Sequence, residues 1–253
     1  MDFVDYSTNL LHSFGENTKG GPEDPKFSSN YDSANLFAVI KVFFILKFKK
    51  QPFEYDLILQ NDMNSKGNTQ WFNFLVNFTE EGTYKFNIMN FVIFLLIMKT
   101  KSHSLYEKGM KIACYSFTKQ SYRGNHENQK NGAGWFRGGK GIKYYRNGIQ
   151  RESLGSNESY YTLSFEYTIK HRGESIIFAY SYPYNSLDSE KYFNKMIYQR
   201  VMGHLKMEKF QVGTTIANHP IFGYMITHRK LRSSSFMKFK ESLITTTDFV
   251  DKP

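Results

Sequence analysis

The chain has 253 residues, of which 40% are hydrophobic and 17% aromatic, and it carries a formal net charge of +10 at pH 7. This length allows one large domain or two smaller ones around a buried core. The abundance of Phe and Tyr favours β-strands. A single cysteine, Cys114, excludes an internal disulfide and a multi-cysteine zinc site, and it fits a reducing compartment, so we expect a cytoplasmic protein.

The positive charge is spread along the chain and not concentrated in one segment. Such an excess attracts acidic partners, among them nucleic acid, an anionic membrane or an acidic peptide. Because the Lys and Arg residues are scattered, we interpret most of them as a solvated surface. We therefore predict no nucleic-acid partner and keep an acidic protein partner as an alternative.

Two apolar runs, at 36–48 and 91–98, need an explanation. The first contains Lys41 and Lys47, and the second is much shorter than the roughly 20 apolar residues that a membrane-spanning helix needs. We predict buried strands or inserted segments, and no membrane partner.

The first 26 residues are polar and end in a turn-rich stretch, which predicts a flexible tail over 1–26. From residue 27 to 185 short alternating segments are separated by polar turns, and this pattern predicts an antiparallel β-sandwich. In "QWFNFLVNF" (70–78) the aromatic residues share one face, "EGT" is a turn, and "YKFNIMNF" is predicted to be the returning strand.

The clearest alternation lies in "YYTLSFEYTI" (160–169), where Leu163 and Phe165 share the face that we predict to be buried. "KHRGE" and the apolar run "SIIFAYSY" follow, which predicts a hairpin with Gly173 in its turn. We expect six residues to be buried or packed at the edges of the sandwich: Trp71, Phe72, Phe74, Trp135, Leu163 and Phe165.

After Asn185 the apolar residues recur at helical spacing. This predicts a linker helix over 186–203, capped by Ser186 or Asp188 and stopped by Gly203.

The segment "HRGES" poses a question of chemistry, because His171 and Glu174 are spaced as a zinc-binding H-x-x-E. A hydrolytic zinc site needs a third protein ligand, for which His219 is a candidate, and an open position for water. The same residues also suit the solvent-exposed tip of a hairpin. Local spacing does not decide between these alternatives.

A second segment, "GWFRGGKG", places Gly134, Gly139 and Lys140 at the spacing of a phosphate-binding loop. That loop continues with Ser or Thr and then a helix. Here Gly141 and a strand-like segment follow, so we predict no phosphate site.

An ordered series of segments from Phe27 to about Tyr192 resembles the N-terminal domain of the cytosolic carboxypeptidases. These are metallocarboxypeptidases, some of which remove glutamates from tubulin and other proteins. The segments are "FSSNYDSANLFAVIKV", "EYDLILQND", "TQWFNFLV", "YKFNIMNF", "SLYEKGMKIACYS", "GWFRGGKGIKYYRN", "YYTLSFEYTI" and "FAYSYPY".

The resemblance implies a β-sandwich over 27–185, the linker helix, and over 204–253 a truncated start of the α/β catalytic domain with an irregular tail. In that family the zinc motif H-P-G-E-S follows a hairpin like "TTIANHPIFGYMITH", and we find no match to it. His171 and Glu174 lie before the linker helix, which makes them a decoy. We therefore expect no catalytic, metal or cofactor residue on this chain, although the intact family uses zinc.

The resemblance also implies docking of the sandwich on a catalytic domain in cis, and we expect Tyr182, Pro183 and Tyr184 at that interface. The expected function is a non-catalytic, structural or substrate-presenting domain of a zinc carboxypeptidase-like protein. Two alternatives remain: a zinc hydrolase that uses His171 and Glu174, and a free-standing binding domain for acidic protein tails such as those of tubulin.

Overall fold

The computed structural model describes residues 10–13, 21–42, 53–62, 65, 69–91, 104–118, 134–150, 159–199, 205–215 and 218–228. It divides into two compact units, 1–183 and 184–253. The division lies next to the predicted boundary between the sandwich and the linker helix.

The described residues of the first unit form two β-sheets, in keeping with the predicted mainly β fold. The larger sheet has the spatial order β1 (Leu10–Ser13), β3 (Leu36–Val42), β4 (Phe53–Leu59), β6 (Gly82–Phe91), β10 (Ser159–Ile169) and β9 (Lys140–Gln150). The smaller sheet has the order β2 (Lys26–Ser28), β5 (Asn73–Asn77), β11 (Ser175–Ala179), β7 (Ile112–Ser116) and β8 (Trp135–Gly138).

Aromatic rings from both sheets meet in one core, which makes the unit a sandwich. Phe178 of the smaller sheet lies with its ring centroid 5.5 Å from those of both Phe86 and Phe165 of the larger sheet. Phe74 lies 5.6 Å from Phe178 and 6.3 Å from Phe86. Such ring pairs add about 0.5–1.5 kcal/mol each beyond the area that they bury.

The predicted core positions are confirmed. Phe72, Phe74, Leu163 and Phe165 have no solvent exposure. The two tryptophans are half-buried: Trp71 donates its indole N–H to the carbonyl oxygen of Ser33, and Trp135 lies on β8 at the sheet edge.

The two predicted hairpins are wrong. Strand β5 belongs to the smaller sheet and β6 to the larger one, and β10 and β11 are divided in the same way. Each "EGT" or "KHRGE" turn therefore carries the chain across the core, from one sheet to the other. A strand with one buried face alternates identically whether its successor lies beside it or opposite it, so the sequence pattern does not distinguish the two.

The sheets are also not purely antiparallel, because β4 and β6 pair in parallel, with Tyr55 opposite Phe86. The parallel pairing follows from the path of the chain between β4 and β6. The chain leaves the larger sheet after β4, runs through β5 in the other sheet and returns in the same direction, as a parallel pair requires.

The predicted flexible tail contains strand structure. Main-chain pairing of β1 with β3 places Leu10 opposite Ile40 and Ser13 opposite Ala38, and β2 begins at Lys26. The prediction for 1–26 is therefore wrong at these positions. A short edge strand is held by main-chain hydrogen bonds that leave little trace in the sequence.

Each apolar run begins in a strand. The first seven residues of the run at 36–48 form β3, the run at 91–98 begins at the last residue of β6, and the rest of both runs lies outside the described residues. In the described part of the chain, no helix combines the length and the apolar character that crossing a bilayer requires.

The second unit contains helix α1 (Ser186–Gln199) and a hairpin of β12 (Leu205–Thr214) and β13 (Pro220–His228). The helix is capped by Asn185, whose side chain accepts the N–H of Asp188, while Asp188 accepts the N–H of Asn185. This reciprocal capping box corrects the predicted caps. The predicted stop at Gly203 and the tail after His228 lie outside the described residues.

Contacts within the second unit join the helix to the hairpin. The ring of Phe193 stacks on that of Tyr224 at 4.0 Å, and the ammonium group of Lys209 lies 2.5 Å from Glu190 and 3.7 Å from the ring centroid of Phe222. No residue of this unit whose burial the structure describes is fully buried.

Candidate functional site

The "HRGES" segment is a crossover between the two sheets. Gly173 has a φ angle of 74°, a conformation that favours glycine, and donates its N–H to the carbonyl oxygen of Phe78 at 2.9 Å. The N–H of Phe78 is donated to the carbonyl oxygen of Glu174, also at 2.9 Å. The side chain of Arg172 pairs with Glu80. The 170–174 crossover is thus fixed against the crossover that follows β5.

His171 and Glu174 have opposite environments. His171 is exposed, whereas Glu174 retains only 6% of its exposure and accepts a hydrogen bond from the hydroxyl of Ser116 at 3.1 Å. The expectation that the polar residues of this turn all lie in solvent is therefore wrong for Glu174. Glu174 is therefore engaged inside the unit by Ser116, whereas His171 faces solvent.

Within the described residues no group of three or more His, Cys, Asp or Glu side chains is placed to hold a metal ion. His219, the candidate third ligand, is exposed in the turn of the second unit, where its N–H is donated to the hydroxyl of Thr215 at 3.0 Å. The absence of a zinc-binding residue on this chain stays a prediction.

The segment with phosphate-loop spacing forms a corner of the sandwich. Strand β8 belongs to the smaller sheet and β9 to the larger one, and Gly139 between them has a φ angle of 88°. The chain changes sheets at this glycine. A strand follows, not the helix whose N-terminus would hold a phosphate.

An aromatic and cationic surface lies at this corner. Tyr182 is 44% exposed, and its ring centroid lies 5.8 Å from that of Trp135. The guanidinium carbon of Arg137 lies 5.5 Å from the centroid of the Tyr182 ring. We call these three residues the Tyr182 surface. Arg137 also donates hydrogen bonds to the carbonyl oxygens of Lys111 at 2.8 Å and Tyr180 at 3.0 Å, which fix its position.

The structure thus places one predicted interface residue, Tyr182, beside Trp135 and Arg137, which were not predicted as interface residues. Tyr182 lies on this surface, Pro183 is half-buried at the end of the first unit, and Tyr184 is 70% exposed in the second unit. From the sequence, Trp135 is predicted only as a packing residue, and Arg137 is not predicted at all. The available signal was the interleaving of basic and aromatic residues in "WFRGGKGIKYYRN".

A polar cluster on the outer face of the larger sheet was also missed. The amide nitrogen of Asn87 lies 2.7 Å from a carboxylate oxygen of Glu54 and 2.8 Å from one of Asp56, and Lys85 donates to the same Glu54 oxygen at 2.8 Å. Burial raises the pKa of the Asp56 carboxyl, the hydrogen bond from Asn87 lowers that pKa, and Glu54 raises it further. Lys85 neutralises part of the negative charge of Glu54 and Asp56, and such a partly neutralised cluster is typical of a structural hydrogen-bond network.

Comparison with known proteins gives consistent relatives for this chain. It is 35% identical over 167 residues to cytosolic carboxypeptidase 1 of Danio rerio, a match that covers 64% of this chain and 12% of the relative. It is 34% identical over 176 residues to cytosolic carboxypeptidase 1 of Xenopus laevis (68% and 12%) and 33% identical over 182 residues to cytosolic carboxypeptidase 2 of Xenopus tropicalis (72% and 16%).

Two further comparisons add less. No protein-family model matches the chain. The crystal structure of a metallo-carboxypeptidase from Burkholderia cenocepacia gives a TM-score of 0.43 at 12% identity, over 79% of this chain and 38% of that one. This score is too low to assign a common fold.

The sequence relatives therefore carry the assignment, and the matched part of this chain spans less than a fifth of the length of each of the three. The resemblance found in the ordered segments is confirmed by identities of 33 to 35% over 64 to 72% of this chain. Over the segment that it shares with these relatives, the chain is a member of the cytosolic carboxypeptidase family.

Proposed function

We propose that the β-sandwich is a non-catalytic domain of a cytoplasmic zinc carboxypeptidase-like protein, and that it packs against the catalytic domain in cis. The relatives are named as carboxypeptidases. The family's H-P-G-E-S motif does not occur in the sequence. The opposite exposures of His171 and Glu174 disfavour the alternative of a zinc hydrolase built on these two residues.

The Tyr182 surface is the observation that carries this proposal. Tyr, Trp and Arg are the residues that most often dominate binding energy at protein interfaces. Arg137 is fixed by two main-chain carbonyl groups and lies over the Tyr182 ring, so little side-chain entropy remains to be lost on docking. Tyr182 also immediately precedes the last residue of the first unit, where the chain leaves the sandwich.

For the substrate, we propose an acidic protein chain such as a glutamate-rich tail of tubulin. Two observations support it: the resemblance to the family and the net charge of +10, which favours association with acidic chains. In this role the sandwich supports the catalytic domain and helps to present the tail, while the zinc chemistry belongs to the catalytic domain.

Docking is tested by co-expression of the chain with the catalytic portion of the Xenopus tropicalis relative. The test variant is Tyr182→Glu, which places a charge in the aromatic cluster. The matched control is Phe37→Glu, since Phe37 is 45% exposed, almost the same as Tyr182, but lies on β3. The readouts are co-purification and glutamate release from a glutamate-terminated peptide.

We expect the intact chain and the Phe37 variant to co-purify with the catalytic portion, and the Tyr182 variant to lose at least about tenfold in affinity, as hot-spot substitutions do. Equal co-purification of all three proteins would contradict the proposed docking surface.

A further inference from the structure

Strand β9 forms one edge of the larger sheet. It pairs with β10 on one side, and among the described residues no strand pairs with its other side. It is 11 residues long and its register with β10 is regular over Lys143 to Arg146 and shifts on either side, so it presents a row of main-chain N–H and C=O groups at that side. Such an edge accepts an added strand from another chain.

The charged side chains of β9 itself are all of one sign. Residues 140–150 include Lys140, Lys143 and Arg146, all three exposed, and contain no Asp or Glu. Lys143 lies opposite Ser164 of β10, and Tyr145 lies opposite Thr162. Because Leu163 between them is buried in the core, Lys143 and Tyr145 project from the outer face, where Tyr145 is 47% exposed.

The charge determines the kind of occupant. A second copy of the chain would bring three more cations to the same edge, and like charges on neighbouring strands destabilise the pair. Nucleic acids and membranes offer no peptide backbone to complete the row of hydrogen bonds. An extended peptide with acidic side chains meets both requirements, since it supplies main-chain partners and opposite charge.

We propose that β9 binds an extended acidic segment of another protein by strand addition. Strands rise by about 3.3 Å per residue, so Lys140 to Arg146 spans roughly 20 Å and takes about six or seven residues of the partner. Alternate residues of the partner lie on the outer face beside Lys143 and Tyr145, so acidic residues at alternate positions bind best. A proline in the middle of the segment removes a hydrogen bond and weakens binding. This site needs no catalytic domain and does not depend on the docking proposed above.

The test measures binding of a fluorescein-labelled ten-residue peptide of alternating Glu and Thr to the purified intact chain, by fluorescence anisotropy. One comparison peptide has Lys in place of Glu. A second keeps the glutamates but is N-methylated at alternate amides, which blocks one edge of the added strand and leaves the charge unchanged. The test variant is Lys140→Glu with Lys143→Glu, and the matched control is Lys191→Glu with Lys195→Glu on exposed positions of α1.

We expect the acidic peptide to bind the intact chain and the α1 variant equally, and the β9 variant at least about tenfold more weakly. The N-methylated and the lysine peptides should also bind at least about tenfold more weakly. Equal binding of the N-methylated peptide would reveal adsorption by charge alone and overturn the proposal. Absence of binding, or an unchanged affinity of the β9 variant, would overturn it as well.

Sedimentation of the intact chain and the β9 variant distinguishes the remaining occupant. A monomer in both is the expected result. A dimer of the intact chain that the charge reversal dissociates would assign the edge to a second copy and overturn the proposal.

Discussion

Gly173 donates its main-chain N–H to the carbonyl oxygen of Phe78 at 2.9 Å, which ties the 170–174 crossover to the end of β5. The return bond from Phe78 to the carbonyl oxygen of Glu174 completes a two-bond link. The "HRGES" segment therefore has a structural role of its own: it joins the two sheets at one end of the sandwich.

The first prediction concerns the backbone of this crossover. Gly173→Ala should lower the free energy of unfolding by about 1–2 kcal/mol, because an L side chain at a φ angle of 74° is strained. No atom lies within 4 Å of the added Cβ, so the loss reports the backbone conformation alone. Urea unfolding of the first unit's transition measures it.

Gly148→Ala is the matched control. Its added Cβ also meets no atom within 4 Å, but Gly148 does not have a positive φ angle. We expect a change within about 0.5 kcal/mol there. A Gly173 variant as stable as this control would contradict the role assigned to the turn.

The second prediction separates the structural and metal-binding interpretations of Glu174. Ser116→Ala removes a hydrogen bond to a buried carboxylate and should cost about 1.5–3 kcal/mol. His171→Ala, at an exposed position, should stay within about 0.5 kcal/mol of the intact chain, with zinc or with a chelator. If the His171 variant were less stable than the intact chain with zinc but not with a chelator, this side chain would hold a metal.

The third prediction concerns pH. Burial raises the pKa of Asp56, so the folded state favours its protonated form. Stability from this group is fully present below the ordinary carboxyl pKa and is lost as the pH rises through the raised pKa. Asp56→Asn keeps an acceptor for Asn87 and removes this loss, so the variant should gain stability over the intact chain at pH 7 and lose that gain near pH 3.

Unfolding curves of both proteins across this range measure the difference. A difference that stays constant with pH would show that Asp56 ionises equally in the folded and unfolded chains.

The alternating residues predicted the strands and the core, because burial of one face leaves a direct period-two signal. Leu163 and Phe165 show this, with no solvent exposure in the structure. The same signal left the sheet of the next strand undetermined, so the crossover at Gly173 was predicted as a hairpin. Strand β1 was missed because main-chain pairing at a sheet edge needs no particular side chains.

The candidate sites were predictable to different degrees. Tyr182 came from the resemblance, whereas Arg137 was missed because its partners, the carbonyl oxygens of Lys111 and Tyr180, lie 26 and 43 residues away in sequence. The polar cluster around Asn87 depends on β4 and β6 pairing in parallel, which no local pattern of residues reveals. Sites that depend on contacts between distant segments are therefore not predicted from local residue patterns.

The most direct test of the central claim is the zinc content and peptidase activity of the purified chain. After dialysis, metal analysis of the intact chain and of His171→Ala should find no stoichiometric zinc in either. A polyglutamylated peptide incubated with the intact chain should release no glutamate. One tightly held zinc in the intact chain, absent from the His171 variant and accompanied by glutamate release, would contradict the account and identify the chain as an enzyme in its own right.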